Sequence, residues 1–103
     1  MSQSIKVAQT NQIPPGLSLL VQAQGRDIAL FNVDGRLYAI DNACSHSRGP
    51  LAEGRLAGSR VTCPWHGAQF DVTTGRCLRE PATTDITCYT LRIDGEAVFV
   101  EIP

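Results

Sequence analysis

The chain has 103 residues, 43% apolar and 18% charged, with a net charge of -1. That length suits one small domain, which buries only about two-thirds of the surface its unfolded chain exposes and so gains from an added staple. The near-neutral charge argues against an electrostatic nucleic-acid binder or a polybasic membrane-surface protein, and no apolar run approaches the ~20 residues that a membrane span requires.

Taken in chain order, MSQSIKVAQT has no apolar signal core, so a cytoplasmic location is expected. Within it, Ile5 to Ala8 is expected to form a strand that pairs with the end of the chain. SLLVQAQ, residues 18–24, supplies another strand. DIALFNVDGRLYAI alternates apolar and polar residues around Asp34-Gly35, and CYTLRIDGEAVFVEI does so around Asp94-Gly95. Each predicts a hairpin, because Asp and Gly tolerate the positive φ of tight hairpin turns. Between them, residues 43–82 are rich in Gly, Arg, Ser and Pro, and their strand signals are brief: RVTC, QFDV and RCL. No stretch longer than ten residues keeps a helical period. The expectation is one all-β domain, 1–103. Residues 1–42 and 83–103 form an antiparallel sandwich or barrel framework, and the loop-rich 43–82 is inserted into it. Loops on a rigid scaffold are where sites usually sit.

The insertion holds both histidines and three of the four cysteines. In a reducing cytosol cysteines serve more often as metal ligands or thiols than as disulfides. CSHSRGP (44–50) and CPWHGAQFD (63–71) give Cys44 and His46, sixteen intervening residues, then Cys63 and His66. A lone CxH or CxxH is a weak signal; two on loops, using every histidine in the chain, are a strong one. Two thiolates and two imidazoles fit either a tetrahedral structural zinc or a 2Fe-2S cluster with both cysteines on one iron and both histidines on the other. In each motif Cys and His are too close in sequence to serve distant sites, so each loop contributes one of each.

The stretch CSHSRGPLAEGRLAGSRVTCPWHGAQFDVTTGRCLREPA resembles the cluster-binding subdomain of Rieske proteins, most closely the small ferredoxins that serve bacterial aromatic-ring dioxygenases. CxH, a spacer of the family's length, CPxHG, then FD and a Gly-bearing turn carry the likeness. The resemblance implies an antiparallel β framework with an inserted Rieske cluster-binding subdomain. It implies one 2Fe-2S cluster, with Cys44 and Cys63 on the inner iron and His46 and His66 on the outer, and Pro81 in a third loop that covers it. The Rieske proteins of cytochrome complexes carry a loop disulfide at positions matching Gly49 and Trp65. They carry a serine and a tyrosine that donate hydrogen bonds to cluster sulfur at positions matching Ala68 and Phe70. All four are absent here, so a low reduction potential is expected.

The implied function is one-electron transfer from a reductase, an NAD(P)H-dependent flavoprotein, to a terminal Rieske non-haem iron oxygenase. Docking is expected near His46, His66, Pro64 and Trp65, with Arg48 beside them, on a monomer. With both histidines used, none remains for the mononuclear iron of an oxygenase, so the chain is not itself an enzyme. The small subunit of an assimilatory nitrite reductase resembles the same fold; many of those lack the four ligands, so keeping them favours the carrier. Arg48, Arg55, Arg60, Arg76 and Arg79 tint the insertion basic, and Cys77 and Cys88 are expected to be ordinary thiols. Asp71 and Glu80 could be read as an acid-base pair, but nothing in the sequence places them around a substrate.

Overall fold

The computed structural model describes residues 3–45, 48–65, 67–80 and 84–102. The framework opens with strands β1 (Gln3–Gln9), β2 (Ser18–Ala23), β3 (Arg26–Val33) and β4 (Arg36–Asp41). Four short strands follow: β5 (Arg55–Ala57), β6 (Arg60–Thr62), β7 (Gln69–Asp71) and β8 (Cys77–Arg79). The chain returns through β9 (Cys88–Tyr89), β10 (Leu91–Asp94) and β11 (Ala97–Ile102). Single 3-10 turns occur at Thr10–Gln12 and Leu51–Glu53, and no α-helix occurs among the described residues.

The strands form three antiparallel sheets, ordered β1-β11-β10, β2-β3-β4-β9 and β5-β6-β7-β8. The N-terminal strand pairs with the last one, Ile5 opposite Val100, as its sequence suggests. The Asp34-Gly35 hairpin is present, with φ of 52° and 92°, whereas the second hairpin turns one residue later than expected: Asp94 still pairs with Ala97 as the last residue of β10, and Gly95, with φ of 62°, and Glu96 make the turn. A third tight turn joins β2 to β3 at Gln24 and Gly25, with φ of 50° and 75°. Gln carries no turn signal of its own, so this hairpin rests on Gly25, which adopts positive φ without steric cost.

Strand β3 departs from simple alternation: every residue from Ile28 to Asn32 is buried. Ile28 and Leu30 enter one core with Val21, Ala39, Tyr89, Val98, Val100 and Ile102. Ala29 and Phe31 face the other way, into a second core with Ile40, Cys44, Leu51, Val61, Cys63, Ala68, Phe70 and Val72. A strand covered on both faces reads as a near-continuous apolar run, as in ALF, and not as a two-residue repeat. The second core is therefore what seats the small β5–β8 sheet on the framework.

Polar groups inside this arrangement are satisfied. Asn32 donates from Nδ2 to Ile13 O at 2.7 Å and accepts from Gly35 N at 2.8 Å, tying the first hairpin to the β1–β2 connection. Tyr89, 5% exposed, donates to Asp41 Oδ1 at 2.6 Å and accepts from Arg26 Nη1 at 3.1 Å. Burial, and then the bond to Asp41, raises the Tyr89 phenol above its usual value, against the opposing pull of Arg26. The fold thus prefers the protonated phenol, so its stabilisation is complete below the unfolded value of about 10 and is lost as pH rises through the folded one. Tyr89→Phe is expected to cost about 1 kcal/mol at neutral pH. It should also flatten the fall in urea midpoint that sets in above about pH 10; urea unfolding of both proteins from neutral pH through that region checks it.

Candidate metal centre

The two cysteine motifs fold into loops of the same design. In the first, Cys44 N donates to Gly49 O at 3.0 Å and Arg48 N to Cys44 O at 2.8 Å. In the second, Cys63 N donates to Ala68 O at 2.7 Å and Gly67 N to Cys63 O at 3.1 Å. Each cysteine thus accepts from the fourth residue after it and donates to the fifth. That fourth residue has positive φ in both loops, 62° at Arg48 and 79° at Gly67. Glycine meets this requirement freely, whereas an arginine there carries roughly 1 kcal/mol of backbone strain that the surrounding loop must hold.

Both loops are anchored at their bases. Ala43 bridges Pro50, and Asn42 accepts Leu51 N on its carbonyl and Ala52 N on Oδ1, each at 2.8 Å. The second loop grows directly from the β6–β7 hairpin, where Thr62 opposes Gln69. Cys44 is 1% and Cys63 2% exposed, and both belong to the second core with Phe31, Ala68 and Phe70. A Cβ built on Gly49 would stand 2.6 Å from Cys63 Sγ and 3.1 Å from Trp65 Cγ, so only glycine lets the first loop lie this close to the second.

The structure therefore brings Cys44 and Cys63 into one buried pair of loops, with Gly49 between them. His46, His66 and Pro81 lie outside the described residues. Pro64 and Trp65 are exposed, Trp65 by 58% although its ring base abuts Gly49, so it reaches toward solvent while covering that contact. Arg48 is also exposed. The Asp71 carboxylate accepts Thr73 N at 2.9 Å and Thr73 Oγ1 at 2.7 Å, closing a turn. Cys77 and Cys88 are thiols whose sulfurs point to different carbonyls, Arg79 O and Thr73 O. Cys88 is exposed, and partial desolvation, then Asp71, raises its thiol above the usual value.

Sequence reasoning missed Asn42 and Ser45. Ser45 Oγ donates to Thr84 O at 2.5 Å, tying the first cysteine loop to the segment that leads into β9. Nothing in either residue's neighbourhood announces that role, because it depends on a partner far along the chain. Two thiols shut away from water in one apolar cluster suit a soft, sulfur-ligated iron centre.

The profile of the Rieske [2Fe-2S] domain matches residues 3–90. The chain belongs to the Rieske [2Fe-2S] family. This Rieske domain is 40% identical over 91 residues to the ferredoxin component of the naphthalene 1,2-dioxygenase system of Pseudomonas aeruginosa, covering 88% of each chain. Among solved structures it superposes on the ferredoxin of carbazole 1,9a-dioxygenase from Nocardioides aromaticivorans IC177 with a TM-score of 0.91 and 29% identity, over 95% of this chain and 96% of that one. It also matches a chain in a complex of reduced oxygenase and oxidized ferredoxin of carbazole 1,9a-dioxygenase. That TM-score is 0.89 at 30% identity, over 94% of this chain and 91% of that one.

Within the Rieske domain, four residues frame the cysteines closely. Gly49 and Trp65 face each other, and Ala68 and Phe70 are fully buried. Gly49→Ala must displace either Cys63 or Trp65. Purified G49A is expected to hold less iron and acid-labile sulfide per chain than the parent and to unfold at lower urea, by about 1–3 kcal/mol for an overpacked contact.

Proposed function

We propose that Cys44 and Cys63 ligate one iron of a single 2Fe-2S cluster and His46 and His66 the other, and that residues 43–82 form the cluster-binding subdomain. The matched pair of loops supports the reading. Each contributes one cysteine to the same buried core, and in sequence the histidines follow those cysteines by two and three residues. A cluster of this kind supplies one-electron transfer. The protein's part is to hold the sulfur side dry within the second core and to keep the histidine side near solvent, on loops pinned by Asn42 and the β6–β7 hairpin.

The chain acts as an electron carrier and not as the oxygenase. Its two histidines are spent on the cluster, and the relatives it matches over nearly their full length are named ferredoxin components. We read it as a soluble, cytoplasmic monomer that takes one electron from an NAD(P)H-dependent flavoprotein reductase and passes it to the terminal oxygenase of an aromatic-ring dioxygenase system. Among the described residues no helix is long and apolar enough to cross a membrane. Pro64, Trp65 and Arg48, all exposed beside the cysteine loops, form the docking rim together with His46 and His66. A brief encounter suits such a surface, since redox complexes usually bury less than about 1,200 Å².

The residues beside the sulfur side set the potential. Hydrogen bonds to cluster sulfur stabilise the more negative, reduced state, and Ala68 and Phe70 have no hydroxyl to give one. A redox titration is expected to place the midpoint at the low end of the Rieske range, about -150 mV; a value above about +100 mV would contradict the reading. Ala68→Ser and Phe70→Tyr should each raise it by about 40 mV, the one-electron equivalent of a hydrogen bond of ~1 kcal/mol.

A further inference from the structure

We infer that the outer face of the β5–β8 sheet is an electrostatic steering surface, which draws the acidic docking face of the protein that accepts this carrier's electron. The inference rests on the carrier reading and adds a partner chemistry to it.

Strand register assembles the surface. Arg55 opposes Thr62, Thr62 opposes Gln69, and Gln69 opposes Arg79. Directly opposed residues share a face, so these four side chains form one row across the sheet with an arginine at each end. The Gln69 Nε2 to Thr62 Oγ1 bond, 3.1 Å, shows the middle of the row in contact. Arg60 lies on the same face in the next row, opposite Ala57 and Asp71. The other face of the sheet carries Leu56, Val61 and Phe70 into the core that holds Cys44 and Cys63. The basic row is therefore backed directly by the cysteine loops, and Thr62 and Gln69 flank the second loop at residues 63 and 68.

These cations are uncommitted. Arg55, Arg60 and Arg79 are exposed, and the ion pairs among the described residues involve only Arg92, with Asp94 and Glu101. Asp71, the one carboxylate opposite Arg60, is already engaged by Thr73. The charge is also segregated. Residues 43–82 hold five arginines against Glu53, Asp71 and Glu80, while the framework holds four cations against seven carboxylates. A near-neutral protein thus carries a positive end at its cysteine loops and a negative framework. Charges so arranged orient an anionic partner before contact and raise association rates about 10- to 1,000-fold at low salt. The effect fades once the Debye length falls to about 10 Å, near 0.1 M ionic strength.

The test uses two one-electron acceptor proteins: plastocyanin, with an acidic docking patch, and cytochrome c, with a lysine-rich one. The reduced holoprotein is mixed with each in a stopped-flow instrument at several ionic strengths. Transfer to plastocyanin is expected to slow as salt rises. The R55Q/R60Q/R79Q variant should be about 10-fold slower than the parent at low salt and nearly salt-independent. K6Q/R36Q/R92Q, which removes the same charge from the framework, should retain the parent's rate, and cytochrome c should show no slowing in the Arg variant. Equal plastocyanin rates for the parent and the Arg variant overturn the inference while leaving the carrier reading in place, as does equal slowing in the framework variant. Failure to reduce either acceptor overturns both.

Discussion

Residues Ile28 to Asn32 of β3 are buried without interruption, Ile28 and Leu30 toward the framework core and Ala29 and Phe31 toward the core beneath the cysteine loops. Two apolar layers in a chain this short require a shared wall, and β3, with Ala39 and Ile40 of β4 dividing in the same way, is that wall. Burial of side chains such as Phe31 and Ile40 is worth about 2 kcal/mol each. That binds the small sheet to the framework more firmly than its three-residue strands could by pairing alone.

The cysteine loops inherit their rigidity from this wall. Neither loop is held by a disulfide; one closes through the Ala43–Pro50 bridge and the two polar arms of Asn42, the other through the β6–β7 hairpin. Each then repeats the same pair of backbone bonds, so two unrelated stretches of chain present cysteine in the same way. Gly49 sets how close they come, because any side chain there would occupy the space of Cys63 Sγ. A site meant to lose and gain electrons with little reorganisation benefits from such constraint, and a residue between the loops with no side chain is the simplest way to reach it.

Much of this was legible because local chemistry and tertiary outcome agree. Asp34-Gly35 turns where residue type demands, Gly95 supplies the positive φ of the last hairpin although the turn is Gly95-Glu96 and not Asp94-Gly95, and the alternation in β11 reports a strand covered on one face. The spacing of Cys44 and Cys63 on Gly-rich loops led to a common site, and their shared burial agrees with it. The turn at Gln24-Gly25 was not legible, since only one of its residues has a turn preference. The division of the interior into two cores was hidden for another reason. A bifacial strand loses its alternation, and a run such as ALF does not say what covers each side. Asn42, Ser45 and Tyr89 act through partners from nine to sixty-three residues away, a distance that no local pattern encodes. His46 and His66 stand outside the described residues, so their part in the site rests on spacing, chemistry and family.

The assignment of two thiolates to one iron and two imidazoles to the other is the centre of the account. Its most direct measurement is pulsed electron-nuclear double resonance on the dithionite-reduced protein grown with nitrogen-15 histidine. The chain holds only two histidines, so the account predicts a red-brown protein whose electron spin couples to two distinct histidine nitrogens. A cluster signal with no histidine nitrogen coupling, or a colourless protein carrying one zinc per chain, would contradict it.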